Sequence, residues 1–150
     1  MEKRVEFLLI VLLGWAVLAS SFATSLYMEN LSLKKRVSAI ESETVFVNIG
    51  VDYGNGTVTW FNGTILPKGS TALSALVSVA GVEYRIGDYG AYVVSVNGVS
   101  ERKISNNEGF SWMWYYYDPG EGLKLGPVAA DKYVLSDGDI IVWRYEHWKF

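Results

Sequence analysis

The sequence predicts an α+β fold, in which one short helix packs against a mixed β-sheet and a long N-terminal helix precedes both. Three observations support this fold class. An apolar run without a charged residue occupies residues 7–27. From Thr44 onward apolar residues alternate with period two, as they do in half-buried strands. A single stretch with helical spacing, residues 71–80, lies between the strand-like segments.

The apolar run is long enough to cross a membrane. As a helix rising about 1.5 Å per residue, residues 7–27 span about 30 Å, the thickness of bilayer hydrocarbon. We therefore predict a cytoplasmic tip and transmembrane helix over residues 1–27, with a single pass through the cell membrane and the lipid bilayer as a partner. Ser21-Phe22-Ala23 also fits a signal peptidase site, so the alternative is a secreted protein cleaved near Ala23.

The sequence beyond the apolar run continues as a predicted helical stalk over residues 28–43. Its apolar residues follow the alternating spacing of coiled-coil a and d positions, with one asparagine at an a position. The stalk is therefore a candidate for self-association, and a homo-oligomer is one predicted assembly. A solvated helix with one apolar stripe is the alternative. The candidate self-association residues are Leu26, Asn30, Leu33, Val37 and Ile40.

Residues 44–150 form the predicted folded domain. Lys and Arg flank the apolar run on both sides, so charge does not fix its orientation. Three Asn-x-Ser/Thr triplets, at Asn30, Asn55 and Asn62, favour an extracytoplasmic domain at the cell surface, because glycosylation acceptors lie there.

Without cysteine the domain has no disulfides, and the joint absence of Cys and Gln favours a thermophilic source.

A hairpin opens the folded domain. Its first strand places Val45, Val47, Ile49 and Val51 on one face. Asn55-Gly56 is the pair preferred in a two-residue type I′ turn, so residues 57–66 should return antiparallel.

A helix follows the hairpin. Ser70 or Thr71 can cap its first turn, and Gly81 occupies the position at which many helices end on glycine.

Further strands are predicted after the helix, over residues 92–96, 110–117 and 139–146. Asn97-Gly98 closes the first of them, and the breaker-rich residues 119–127 form a loop. One helix on a mixed sheet of four or five strands is the β-grasp arrangement. It leaves the opposite face of the sheet uncovered.

The predicted strand over residues 110–117 is aromatic on both faces. Alternation places Trp112, Trp114 and Tyr116 on one face, and Met113, Tyr115 and Tyr117 on the other. A domain of this size buries one such set under its core, and the other must meet a ligand, a partner or water. We therefore predict non-covalent recognition of a ligand or surface protein by an aromatic sheet face. The candidate residues are Trp112, Trp114, Tyr115, Tyr116, Tyr117 and Asp118.

Other functions are disfavoured by composition. The net charge of −3 gives no basic face for nucleic acid. With one histidine and no cysteine, a nitrogen- or sulfur-ligated metal site is not expected, and Asp137-Gly138-Asp139 fits a turn better than a calcium loop. No catalytic constellation is apparent, so we predict that the protein is not an enzyme.

The alternative to recognition is a structural subunit that assembles through the stalk or a sheet edge.

Five segments together resemble the transcobalamin C-terminal-like domain family, over about residues 44–146. They are 47–60, 67–76, 94–98, 112–116 and 135–145. The resemblance implies a β-grasp-like fold, an extracytoplasmic location and cobalamin as a ligand. Two departures from the family pattern weaken the expectation that cobalamin is the ligand. The sequence has no counterpart of the large helical-barrel domain of the cobalamin carriers, and Tyr117-Asp118-Pro119-Gly120 replaces the family's Asn-Gly after the aromatic strand.

Overall fold

The structure is a computed structural model that describes residues 2–150, and the chain divides into two units after Ser42. The first unit is formed by one helix, α1 (Glu2–Glu43), whose residues 3–43 are exposed. By length and composition α1 is a candidate for a single membrane span, a test that a signal sequence also passes. Its polar residues suit an apolar setting, since the Ser20, Ser21 and Thr24 hydroxyls donate to backbone carbonyls one turn earlier.

The second unit has the predicted α+β composition. Its strands are β1 (Thr44–Asp52), β2 (Val58–Pro67), β3 (Val82–Gly87), β4 (Gly90–Val96), β5 (Val99–Ser100), β6 (Arg102–Ser105), β7 (Glu108–Asp118), β8 (Gly122–Leu125) and β9 (Ile140–Lys149), and its helix is α2 (Ala72–Val79). The helix is capped as expected, because the Thr71 side chain accepts from the Ser74 backbone and Ser74 reciprocates.

The strands form two sheets. The large sheet has the order β2-β1-β9-β7-β6, with β8 also paired to β7, and the small sheet has the order β3-β4-β5. β1 and β9 run parallel, whereas the other neighbouring strands of the large sheet are antiparallel, so the sheet is mixed as predicted. The first and last strands of the domain are thus neighbours.

The hydrophobic core lies between one face of the large sheet and α2. Residues 45–51 contribute four buried branched side chains from β1, and α2 buries Ala72, Leu73, Ala75 and Leu76. Trp143 from β9 is the largest fully buried side chain. Every buried residue of this cluster comes from residues 45–143, so the second unit carries its own core.

The two predicted Asn-Gly turns differ. Asn97-Gly98 is a two-residue turn with both φ angles positive, at 48° and 82°, and it joins β4 to β5. The predicted type I′ turn at Asn55-Gly56 is wrong, because Asp52 pairs with Val58 and five residues form the loop. Asp52 at the end of β1 and Asn55 within the loop each accept a backbone N–H two residues ahead, which stabilises a longer connection.

Three further expectations need correction. Residues 119–127 are not wholly a loop, because β8 lies within them and pairs with the end of β7. Strands β3, β5 and β6 were not predicted, so the strands exceed the expected four or five. Gly81 does not adopt a left-handed conformation; α2 ends instead with Ala80 in an extended conformation.

Candidate functional site

The aromatic strand β7 divides its side chains between the two sheet faces, as alternation predicts. Trp112 and Trp114 are 3% and 7% exposed and belong to the core, and Tyr116 packs against it. Tyr115 and Tyr117 lie on the opposite face, which we call the open face because it is turned away from α2. Of the predicted binding residues, the two tryptophans are therefore buried.

Both buried tryptophans are fixed by hydrogen bonds. The Trp112 indole N–H donates to the Val99 carbonyl at 2.8 Å, and the Trp114 indole N–H donates to the Val128 carbonyl at 3.1 Å. Tyr53 packs edge-on against Trp112, with ring centroids 5.6 Å apart. These contacts assign Trp112 and Trp114 to the stability of the fold.

Asp118 also has a structural role. Its Oδ1 accepts the backbone N–H groups of Gly120 and Glu121 at 2.9 and 3.1 Å, so the carboxylate closes the turn between β7 and β8. Of the predicted binding residues, Tyr115 and Tyr117 therefore lie on the open face. Met113 of β7 lies on the same face, and the other residues of the open face come from other strands.

A single row of side chains crosses the open face. Trp60, Gly50, Val142, Tyr115 and Leu125 are successive register partners on β2, β1, β9, β7 and β8. Five strands spaced about 4.8 Å apart make this row about 19 Å wide. We call these five residues the cross-strand row.

Trp60 lies at one end of the row and covers its neighbour Gly50. A Cβ at Gly50 would lie 3.1 Å from Trp60 Cη2 and Cζ3, so the indole ring rests on the backbone of β1. Val142, the next residue in the row, is only 2% exposed although it does not belong to the core cluster. The open face thus has an aromatic layer of its own, in which Trp60 remains 47% exposed.

Charged groups on the open face are paired with one another. Arg144 Nε lies 3.3 Å from Asp52 Oδ2, and the guanidinium carbon lies 5.5 Å from the centre of the Tyr115 ring. Arg144 Nε is buried. It is close enough to Asp52 for an ion pair, but it makes no hydrogen bond to any residue that the structure describes.

The Tyr115 hydroxyl donates to Glu146 Oε1 at 2.5 Å. Burial, followed by this bond to Glu146, raises the pKa of Tyr115 to about 12.

The rest of the open face is apolar and accessible. Phe46 and Ile65 are register partners on β1 and β2, four residues along β1 from Gly50, and are 41% and 57% exposed. Leu125, at the end of the row opposite Trp60, is 53% exposed. Sequence analysis missed Phe46, Trp60, Val142 and Leu125 as site residues. The alternation within β1 does signal Phe46, because it is the apolar residue on the polar face of that strand.

The stalk candidates lie on α1. Leu26, Leu33, Val37 and Ile40 are each more than half exposed, and Asn30 is exposed as well. These side chains are therefore accessible to a second copy of the chain.

The described residues contain no group of three or more His, Asp or Glu side chains that could hold a metal ion. The histidine is paired, with His147 Nε2 2.9 Å from Glu108 Oε1.

Comparison with known proteins supplies a family and a fold. Residues 69–147 match the family model described as Domain of unknown function (DUF4430). No curated protein matches the chain.

Two solved structures are similar to the chain. Haptocorrin in complex with Cbi gives a TM-score of 0.54 at 20% identity, over 70% of this chain and 25% of that chain. The "putative metal binding protein from Ruminococcus gnavus ATCC 29149" gives a TM-score of 0.51 at 20% identity, over 68% of this chain and 96% of that chain. The chain thus spans a quarter of haptocorrin, and the likeness confirms a transcobalamin-like fold.

Proposed function

This chain belongs to the family described as Domain of unknown function (DUF4430), and we propose that it is a membrane-anchored binding module. In this proposal α1 anchors the chain in the cell membrane, and the extracytoplasmic domain recognises a ligand or protein partner without catalysis. The observation that carries the proposal is the cross-strand row, because it presents an apolar aromatic surface on a rigid sheet.

The composition of the open face supports non-covalent recognition. Tyrosine and tryptophan bury a large area at a low cost in side-chain entropy, so binding energy concentrates on them. Trp60 and Tyr115 are also held in place before any ligand arrives, by the backbone at Gly50 and by Glu146. Preorganisation of this kind lowers the cost of binding.

The electrostatics of the same face support a role without catalysis. Asp52 is paired with Arg144, and Tyr115 with Glu146. The pKa of Tyr115 is raised to about 12, which takes this hydroxyl further from proton transfer at neutral pH.

The extracytoplasmic location is supported by two glycosylation triplets. Asn55 and Asn62 are both exposed and lie on the β1–β2 hairpin, where an attached glycan would meet no core residue. A cleaved secreted form remains the alternative, and the intact mass of the protein isolated from its native membrane distinguishes the two.

Photo-crosslinking tests the binding proposal in the full chain. A photoreactive residue replacing Leu125 should give a discrete crosslinked product in native membranes, and Trp60→Ala in the same chain should abolish it. The matched control replaces Tyr89, which is 91% exposed at the β3–β4 turn. Equal products from both positions, or no product from Leu125, would rule out the open face as the binding surface.

A corrinoid is the first ligand to test. The support is the likeness to haptocorrin in complex with Cbi, together with a row about 19 Å wide that can accommodate a flat ring system. Cyanocobalamin added to the full chain in lipid nanodiscs should quench tryptophan fluorescence saturably at micromolar or lower concentration, and Trp60→Phe should reduce the change. A linear, unsaturable decrease removes the corrinoid while leaving other ligands of the open face untested by this probe.

Assembly is the second candidate function. The specific observations are the exposed stalk residues and the position of β2 at the end of the large sheet, where one side of a ten-residue strand is available for pairing. In that case the chain is a structural subunit and the open face packs against a neighbouring copy.

A further inference from the structure

The edge of β7 has a gap between its two outer partners. β6 pairs with β7 as far as Phe110, and β8 begins to pair at Tyr115. Between them, residues 111–114 have register partners on β9 alone. A cavity of about 170 Å³ lies at this gap, and residues 91–93 of β4 form part of its wall. We call it the edge cavity.

The edge cavity exists because small residues oppose large ones. Trp112, Trp114 and Trp143 line it together with Gly126 and Ala129. A Cβ at Gly126 would overlap the Trp114 ring, so the 126–130 segment approaches the indole as closely as its backbone allows. The Gly126 N–H also donates to the Trp114 carbonyl at 2.8 Å.

The walls of the cavity are fixed before any ligand binds. The indole N–H groups of Trp112 and Trp114 are held by backbone carbonyls, at 2.8 and 3.1 Å. Trp143 is 2% exposed, and its Nε1 is a buried donor without a hydrogen-bond partner among the described atoms. The lining is mostly apolar and aromatic, as in small-molecule sites, but the volume lies below the range of about 300–1,000 Å³ that is usual for them, so the cavity suits a smaller ligand.

Volume and chemistry together define the occupant. An engineered apolar cavity of about 150 Å³ in another protein stays dry and binds benzene. The edge cavity is of similar volume. No residue in its lining carries a charge, and three indole rings offer faces and edges to another ring. A charged ligand would lose its hydration there without an opposite charge to compensate.

We propose that the edge cavity binds a small uncharged aromatic molecule of one or two rings. This site is separate from the cross-strand row, although Leu125 borders both. The inference does not rest on the binding role of the open face, since the lining tryptophans lie on the core side of the sheet.

The test uses the full chain, labelled with 5-fluorotryptophan, in lipid nanodiscs. Fluorine resonances are assigned by single Trp→Phe variants, and free indole concentration is fixed by dialysis so that partition into lipid does not enter the result. Indole should shift the Trp112, Trp114 and Trp143 resonances saturably and shift Trp60 less. Benzoate at equal free concentration should leave all of them unchanged.

Ala91→Leu supplies the variant arm, because the added side chain fills the cavity from β4. It should weaken the indole response at least tenfold, whereas Val77→Leu, at a 47% exposed position of α2 outside the cavity lining, should preserve it. If Ala91→Leu does not fold, the contrast between indole and benzoate in the unmodified chain decides the matter. An equal response to benzoate, or an indole response that does not saturate, would overturn the proposal.

Discussion

Tyr115 and Glu146 are joined by a hydrogen bond of 2.5 Å across β7 and β9, beside the centre of the cross-strand row. The bond requires a protonated phenol, and burial and the carboxylate together raise the pKa of Tyr115 to about 12. Tyr92 has the same arrangement in the small sheet, where its hydroxyl donates to Glu101 Oε2 at 2.7 Å and its pKa is also raised to about 12. Both bonds therefore break when the phenol ionises.

The first prediction concerns alkaline stability. Because the folded-state pKa of each tyrosine lies above the unfolded value of about 10, the folded state holds these protons more tightly. Their contribution to stability is complete below pH about 10 and is lost as pH rises toward about 12. Urea unfolding at a series of pH values should show this fall. The double variant Tyr92→Phe/Tyr115→Phe should flatten it, and Tyr89→Phe should not.

The second prediction concerns Gly126. Gly126→Ala places a methyl group inside the volume of the Trp114 ring, so the 126–130 segment or the indole must move. We expect a loss of about 3 kcal/mol in the free energy of unfolding, as for an overpacked core position. Gly120→Ala is the matched control, because its nearest neighbour is Asp118 Oδ1 at 3.4 Å. Similar losses in both variants would show that Gly126 is not specially constrained.

The third prediction compares two asparagines in Asn-Gly pairs. Asn97 adopts a positive φ of 48°, its Oδ1 accepts from the Gly81 N–H, and its Nδ2 donates to the Tyr53 hydroxyl, both at 2.8 Å. Asn97→Ala should therefore cost about 2–3 kcal/mol in chemical denaturation. Asn55→Ala removes one exposed hydrogen bond to Thr57 and should cost about 1 kcal/mol or less. The reverse order would contradict the assignment of Asn97 as a tertiary contact.

The fourth prediction concerns the stalk. Leu33 is 54% exposed on α1, and Leu33→Asp should weaken self-association of the full chain in detergent if a and d positions pack between copies. Sedimentation velocity over a range of protein concentrations measures this effect. Ser32→Asp adds the same charge one position away and should have little effect. A wild-type chain that stays monomeric at every concentration would remove the assembly function through the stalk.

Local patterns in the sequence predict the parts of the fold that depend on near neighbours. Spacing and capping chemistry predict the continuous α1, the pairing of β1 with β2, the capped helix at Thr71 and the alternation of Trp112 to Tyr117. The turn between β1 and β2 was predicted wrongly, because its loop is longer than the Asn-Gly pair indicates. The domain limits and the binding residues remain predictions. The open face itself is predicted only as an uncovered surface.

The cross-strand row could not be predicted because it depends on long-range register. Trp60 and Val142 lie in the same row only because β9 inserts between β1 and β7 and runs parallel to β1. No local signal specifies that pairing. A shift of one residue in the register of β2 would turn Trp60 toward the core, and the same shift in β7 would turn Tyr115 toward the core. β8 was missed for a related reason, since Gly122 and the glycines on either side of the strand, Gly120 and Gly126, resemble a turn until β7 supplies a partner.

The position of β9 has a consequence for biogenesis. Residues 140–149 supply the strand that joins β1 to β7, so the large sheet cannot close until they have left the ribosome. Pairings so distant along the chain form late and slowly. The large sheet is therefore incomplete while its earlier strands are synthesised. For a domain that is exported, as proposed above, late completion of the sheet leaves the chain able to pass through a secretion channel before it folds.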